Sequence, residues 1–164
     1  MELEPGSSDR LTNLGTVQLL IGQVEAAVAS FTRAAELAPN DARVHSDLGT
    51  AYLAQSQVER AVAELERAVA LEPARATFRS NLSQAYELKG EVDRAIATAR
   101  EAIKLDPALG SAWINLGTAL SKKGEHLEAQ RAFEQALALD PSDPRARANL
   151  EELEELKTKG AIQR

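Results

Sequence analysis

Apolar, small and turn-forming residues recur along this chain of 164 residues with a single period. Leucine stands at Leu14, Leu48, Leu82, Leu116 and Leu150, each 34 residues after the last. Alanine keeps the same spacing at Ala27, Ala61, Ala95 and Ala129, and again at Ala34, Ala68, Ala102 and Ala136. Proline follows at Pro39, Pro73, Pro107 and Pro141. Four columns in one register define a repeat, and a fixed period of this length implies stacked supersecondary units.

Numbering positions from 1 to 34 gives units 8–41, 42–75, 76–109 and 110–143. Position 15 holds Gly22, Ser56, Gly90 and Gly124, where a left-handed residue closes one helix. The proline at position 32 ends a second helix, so each unit reads helix A, turn, helix B, turn. Residues 1–7 form an N-terminal extension, 144–158 one further helix, and 159–164 a tail.

The fourth unit carries Trp113, Leu116, Gly117, Leu120, Gly124, Ala129, Phe133, Ala136 and Pro141. This pattern resembles the tetratricopeptide repeat, with Leu120 where the family usually has Tyr. The second unit matches through Leu48, Gly49, Tyr52, Ala61, Leu65, Ala68 and Pro73. The third departs at Arg79 and Ser83, and the first at Gln18. The resemblance covers about residues 8–143 and implies an all-α fold, a right-handed superhelical solenoid of antiparallel helix-turn-helix hairpins. Gly or Ser at position 8 and Ala at positions 20 and 27 leave little bulk where helices A and B cross, so their axes can approach closely.

The two ends differ. In residues 144–158, helical geometry turns Arg147, Glu151 and Glu154 toward a helix B that does not follow, while Ala146, Leu150 and Leu153 keep contact with the preceding unit. That pattern predicts a C-terminal cap. At the other end Leu14, Val17 and Ile21 face no preceding unit, an apolar edge that residues 1–8 partly cover or that pairs with another copy.

Positions 2, 6, 9 and 13 of each helix A lie opposite the packing stripe, and the resemblance implies that they line a concave, ligand-facing surface. Position 6 reads Asn13, Asp47, Asn81, Asn115 and Asn149, and position 9 reads Thr16, Thr50, Gln84, Thr118 and Glu152. Carboxamides both donate and accept hydrogen bonds, so Asn13, Asn81 and Asn115 are candidates to hold a partner's main chain. Similar asparagine ladders hold peptide backbones in O-linked N-acetylglucosamine transferases. Arg43, Leu20, Leu88 and Lys122 complete the candidate peptide-binding set. The heat-shock chaperone tail clamp of related co-chaperones needs paired cations. The windows Thr12, Thr16, Asp47, Thr77, Asn81 and Ser46, Thr50, Asn81, Ser111, Asn115 do not supply them.

Composition narrows the remaining classes. The chain has no cysteine, a formal net charge of −6, and no unit with net positive charge, so nothing neutralises a nucleic-acid backbone. The 30 alanines and 4% aromatic content favour close-packed helices over sheets. No stretch is long enough to insert into a membrane, and the start MELEPGSSDR has no apolar signal segment, so a cytoplasmic protein is expected. His45 and His126 lack partners at metal spacing, His45 reading as a packing residue; no catalytic residue, metal or cofactor is expected. The expected function is a non-catalytic scaffold or adaptor that takes a peptide or helix of a partner protein. The alternatives are a module self-associating through Leu14, Val17 and Ile21, or the targeting domain of a larger enzyme or secretion or assembly complex.

Overall fold

The computed structural model describes residues 7–159. The expected extension up to residue 6 and the tail from residue 160 therefore lie outside the described residues, as does most of the segment expected to cover the N-terminal edge. The chain divides into two compact units, Met1–Ala74 and Arg75–Arg164. The first holds α1 (Ser8–Leu20), α2 (Val24–Leu37), α3 (Ala42–Ala54) and α4 (Val58–Leu71). The second holds α5 (Ala76–Lys89), α6 (Val92–Leu105), α7 (Gly110–Lys123), α8 (His126–Leu139) and α9 (Pro144–Thr158). No strand occurs among the described residues.

Each A helix closes in the left-handed turn that position 15 calls for. Gly22, Gly90 and Gly124 have φ of 77°, 85° and 87°, and Ser56 adopts 59° without the freedom of glycine. The turn is fixed by a backbone bond reaching back five residues: Gln23 to Gln18, Gln57 to Tyr52, Glu91 to Tyr86 and Glu125 to Leu120, all at 2.8–2.9 Å. Helix starts are capped locally where an aspartate is present. Asp41 accepts from the Arg43 and Val44 amides at 2.9 and 3.4 Å, and Asp143 from Arg145 and Ala146 at 2.8 and 3.2 Å.

Within each hairpin the crossing of A and B is governed by two columns that exchange volume. A Cβ on Gly15 would meet Phe31 at 2.8 Å, one on Gly49 would meet Leu65 at 2.6 Å, and one on Gly117 would meet Phe133 at 2.5 Å. In the third hairpin the A helix has Ser83 instead, and the facing residue shrinks to Ala99. Both are fully buried, and the serine hydroxyl donates to the Ala95 carbonyl at 2.8 Å. Close packing leaves room for bulk on one side of each crossing only.

A second recurring device ties the second and fourth hairpins and α9 to the proline before each. His45 Nε2 donates to the Pro39 carbonyl at 3.0 Å, Trp113 Nε1 to Pro107 at 2.9 Å, and Arg147 Nη2 to Pro141 at 2.7 Å. These residues share position 4, so three different side chains satisfy one orphan carbonyl near a helix end. His45 is buried, with Nδ1 2.6 Å from Glu64, in keeping with a packing residue. The tyrosines of the second and third hairpins, Tyr52 and Tyr86, lie under Arg60 and Arg94 at 4.1 and 4.0 Å. In the first hairpin Gln18 takes that place and accepts from Ser30 at 2.7 Å. Leu19 packs against the adjoining core, whereas Leu20 is 81% exposed.

The ends differ in what they expose. Leu14 is 48% exposed, against 3% for Leu48 and 7% for Leu116 in the same column, and Val17 and Ile21 are exposed beside it. On α9, Ala146 and Leu153 are buried while Arg147, Glu151 and Glu154 are exposed. Among the described residues no helix is long and apolar enough to cross a membrane.

Candidate functional site

In the first unit the candidate residues sit on α1 and α3. Asn13, Thr16, Leu20, Arg43 and Thr50 are exposed, and Asp47 is half-buried. Arg43 reaches from α3 to Asp9 of α1 at 3.1 Å. Burial pushes the Asp47 carboxyl up to about 6, partly offset by the Arg43 charge and reinforced by Asp41. The threonines of position 9 direct their hydroxyl protons back into their own helices. Thr16 donates to Thr12 at 2.9 Å, Thr50 to Ser46 at 2.9 Å and, in the second unit, Thr118 to Ile114 at 3.0 Å. That leaves only acceptor lone pairs for a partner.

In the second unit α5, α7 and α9 present their corresponding face, and its two seams differ. Between α5 and α7 the side chains close on each other. Asn115 Nδ2 donates to the Ser80 carbonyl at 2.8 Å and to its hydroxyl at 3.1 Å. Ser80 and Ser111 are hydrogen-bonded at 3.0 Å. Lys122 donates to the Glu87 carbonyl at 3.3 Å and pairs with its largely buried carboxylate. Between α7 and α9 no hydrogen bond or ion pair forms among the described residues, and the surface opens.

A cleft of about 360 Å³ lies on this face. Ile114 and Ala148 give it apolar walls; Gln84, Asn115, Thr118 and Asn149 line it with polar groups, with Glu87 and Arg145 the charged members. A neighbouring recess of about 270 Å³ shares Thr118 and Asn149 with it and adds Ser121, Lys122, Glu152, Phe133 and Leu153. Arg145 is anchored through Asp143, 3.2 Å away. Burial pushes the Asp143 carboxyl up, but hydrogen bonds from the Arg145 side chain and the Ala146 and Arg145 amides outweigh this and hold it below the usual range.

Of the sequence candidates, Gln84, Asn115, Thr118 and Lys122 are thus gathered along these two clefts, while Asn81 and Leu88 line neither. Asn115 has its amide N–H committed inside the protein, so only its carbonyl oxygen faces a visitor. Asn149, one repeat further on, has no hydrogen-bond partner among the described residues and keeps the full carboxamide. Asn149 stands in the position 6 column but outside the candidate set. Arg145 repeats the position 2 of Arg43 but likewise stood outside the set, while Ile114, Ala148 and Glu87 carried no sequence signal beyond their place beside these columns. Among the described residues no group of three His, Asp or Glu side chains could hold a metal ion.

The arrangement has relatives. No curated protein sequence matches the chain at a significant level. Among solved structures, TTC0263, a thermophilic TPR protein of Thermus thermophilus, superposes with a TM-score of 0.84 at 25% identity, covering 94% of this chain and 84% of that one. MamA 41-end from Desulfovibrio magneticus RS-1 gives 0.74 at 26% identity, with 86% and 80% covered. The first TPR of Spaghetti (RPAP3), bound to the HSP90 peptide SRMEEVD, gives 0.67 at 20% identity, with 72% and 94% covered, a likeness of fold alone. Tetratricopeptide repeat profiles match residues 46–109 and 110–143, and a TPR repeat profile matches 15–56. With hairpins of the right period matched from residue 15 to residue 143, the chain belongs to the tetratricopeptide repeat family.

Proposed function

We propose that this protein is a non-catalytic adaptor that holds a segment of a partner protein on the A-helix face. The observation that carries this reading is the open seam between α7 and α9, where an unpartnered Asn149 stands over apolar walls beside Arg145. Such a cleft suits an extended peptide: a carboxamide answers both the N–H and the C=O of a main chain, and the Ile114 and Ala148 surfaces accept a side chain. Asn13, Thr16, Arg43, Asp47 and Thr50 extend the reading to the first unit, where α1 keeps the carboxamide in Asn13 and α3 has the acidic Asp47 instead. The Spaghetti domain, solved with a peptide, supports the reading through its fold. Cytoplasmic work in a cysteine-free chain is part of the same proposal.

The test is affinity capture of a partner, followed by calorimetry with the purified pair. Asn149→Ala weakens binding about tenfold while the helical signal stays constant, as loss of a bidentate main-chain contact predicts. Unchanged affinity would remove the groove from consideration. A second reading, self-association, is favoured by the exposed Leu14, Val17 and Ile21 of α1. Sedimentation over a concentration series separates the two: a mass that rises with concentration supports assembly, and a constant monomer supports the adaptor alone.

A further inference from the structure

The fourth hairpin carries a recess lying among α6, α7 and α8, away from the α5, α7 and α9 cleft. Its volume is about 220 Å³, and its floor is Trp113, Leu116, Leu120 and Ala132. The second and third hairpins fill the surroundings of position 4 differently. In the second hairpin the position 4 ring is held by Glu64, which lies 2.6 Å from His45 Nδ1. In the third, Arg79 extends to Glu101 at 3.0 Å. In the fourth, the residue equivalent to Glu64 is Ala132, too short to cover an indole already pinned to the Pro107 carbonyl at 2.9 Å. The floor stays bare.

The rim is cationic. Arg100 of α6 meets Glu128 of α8 at 3.1 Å along one edge. Arg131 contributes to the lining where the earlier hairpins have Ala29, Ala63 and Ala97. Arg131 is exposed and makes no hydrogen bond or ion pair among the described residues. An indole and two leucines under an uncompensated guanidinium fit a ligand with one large apolar group and one carboxylate. The recess is smaller than a drug-sized pocket and suits a single side chain. Burying that side chain supplies binding energy, and the carboxylate gains a charge-assisted bond to a planar donor fork.

We propose that this recess is a second docking site, distinct from the groove in chemical character, for a partner segment presenting a leucine-sized anchor beside a carboxylate. Both sites together would let the adaptor hold two segments at once. Because the recess shares no lining residue with the α5, α7 and α9 cleft, either site can fail without the other.

Trp113 is the only tryptophan in the chain, so its emission reports this recess alone. The probe is N-acetyl-leucine, with N-acetyl-leucinamide as the uncharged control, titrated into the full chain. The acid produces a saturable change in emission, and the amide binds at least about fivefold more weakly, as expected for loss of an ionic hydrogen bond. Arg131→Ala, an exposed substitution that leaves folding intact, brings the acid down to the level of the amide. Ala132→Leu fills the recess and abolishes the response to both probes. No saturable change with either probe, or equal affinities for acid and amide that ignore Arg131→Ala, would overturn the proposal. Failure of Asn149→Ala to alter partner affinity leaves these outcomes untouched.

Discussion

The two seams that flank α7 are built from the same repeat columns and behave differently. Toward α5, Asn115 bridges to Ser80, Ser111 joins the same serine, and Lys122 pairs with Glu87. Toward α9, Asn149 occupies the column of Asn115 but finds no partner, and a cleft of about 360 Å³ takes the place of a hydrogen-bonded seam. One residue type at one spacing therefore serves as an internal strut in one place and an open recognition group in the next. What decides between them is the neighbour: Ser80 offers Asn115 a carbonyl and a hydroxyl at bonding distance, and nothing on α7 does so for Asn149.

The largest effect comes from breaking the wall common to both seams. Gly117→Ala places a Cβ 2.5 Å from the Phe133 ring and lifts α7 off α8. Overpacking of this kind is expected to cost about 1–3 kcal/mol in denaturant unfolding. Combining Gly117→Ser with Phe133→Ala recreates the Ser83 and Ala99 pair of the third hairpin and should recover part of the loss. An additive double variant would show that the two columns do not exchange volume.

A smaller effect falls on the closed seam alone. Asn115→Ala removes the donor from the Ser80 carbonyl and hydroxyl, and a loss of about 1 kcal/mol is expected, with faster amide exchange in α5. The first unit offers a comparison of different sign. Burial raises the Asp47 carboxyl to about 6 from an ordinary 3.8, so the folded state holds its proton longer than the unfolded chain. Stability contributed by that proton is full below the unfolded value and is lost as pH rises through about 6. Asp47→Asn should flatten this slope and stabilise the protein at neutral pH by on the order of 1 kcal/mol, a figure already reduced for solvent screening. Thermal unfolding at pH 4, 5, 6 and 7 reads the slope directly. The smallest effect on stability is that of Asn149→Ala, within about 0.5 kcal/mol, because the side chain supports nothing in the fold. A cost equal to that of Asn115→Ala would erase the distinction between the seams.

The period made the architecture readable: five leucines, two alanine columns and four prolines share one register, and their spacing predicts every turn, including the left-handed Ser56. The exposed edge of α1 was equally legible, since Leu14 repeats a column that is buried at Leu48 and Leu116. Leu20, placed on the ligand-facing side by its repeat position, is likewise exposed. Asn115 illustrates the deeper limit. Its bond to Ser80 links residues 35 apart, and only the approach of α5 to α7 decides whether an exposed column closes on itself. The recess under Arg131 was hidden for a related reason: its lining comes from α6, α7 and α8, and only their packing brings Arg131 beside Trp113.

The claim on which the functional account rests is that the open seam between α7 and α9 meets the partner. A photo-crosslinking benzoylphenylalanine at Ala148, in the wall of that cleft, tests it against the same residue at Ala70, exposed on α4 of the first unit. Crosslinked in cells and read by mass spectrometry, the Ala148 variant is expected to capture one defined segment of a partner polypeptide, and the Ala70 variant none. Capture from Ala70 with none from Ala148 would contradict the account.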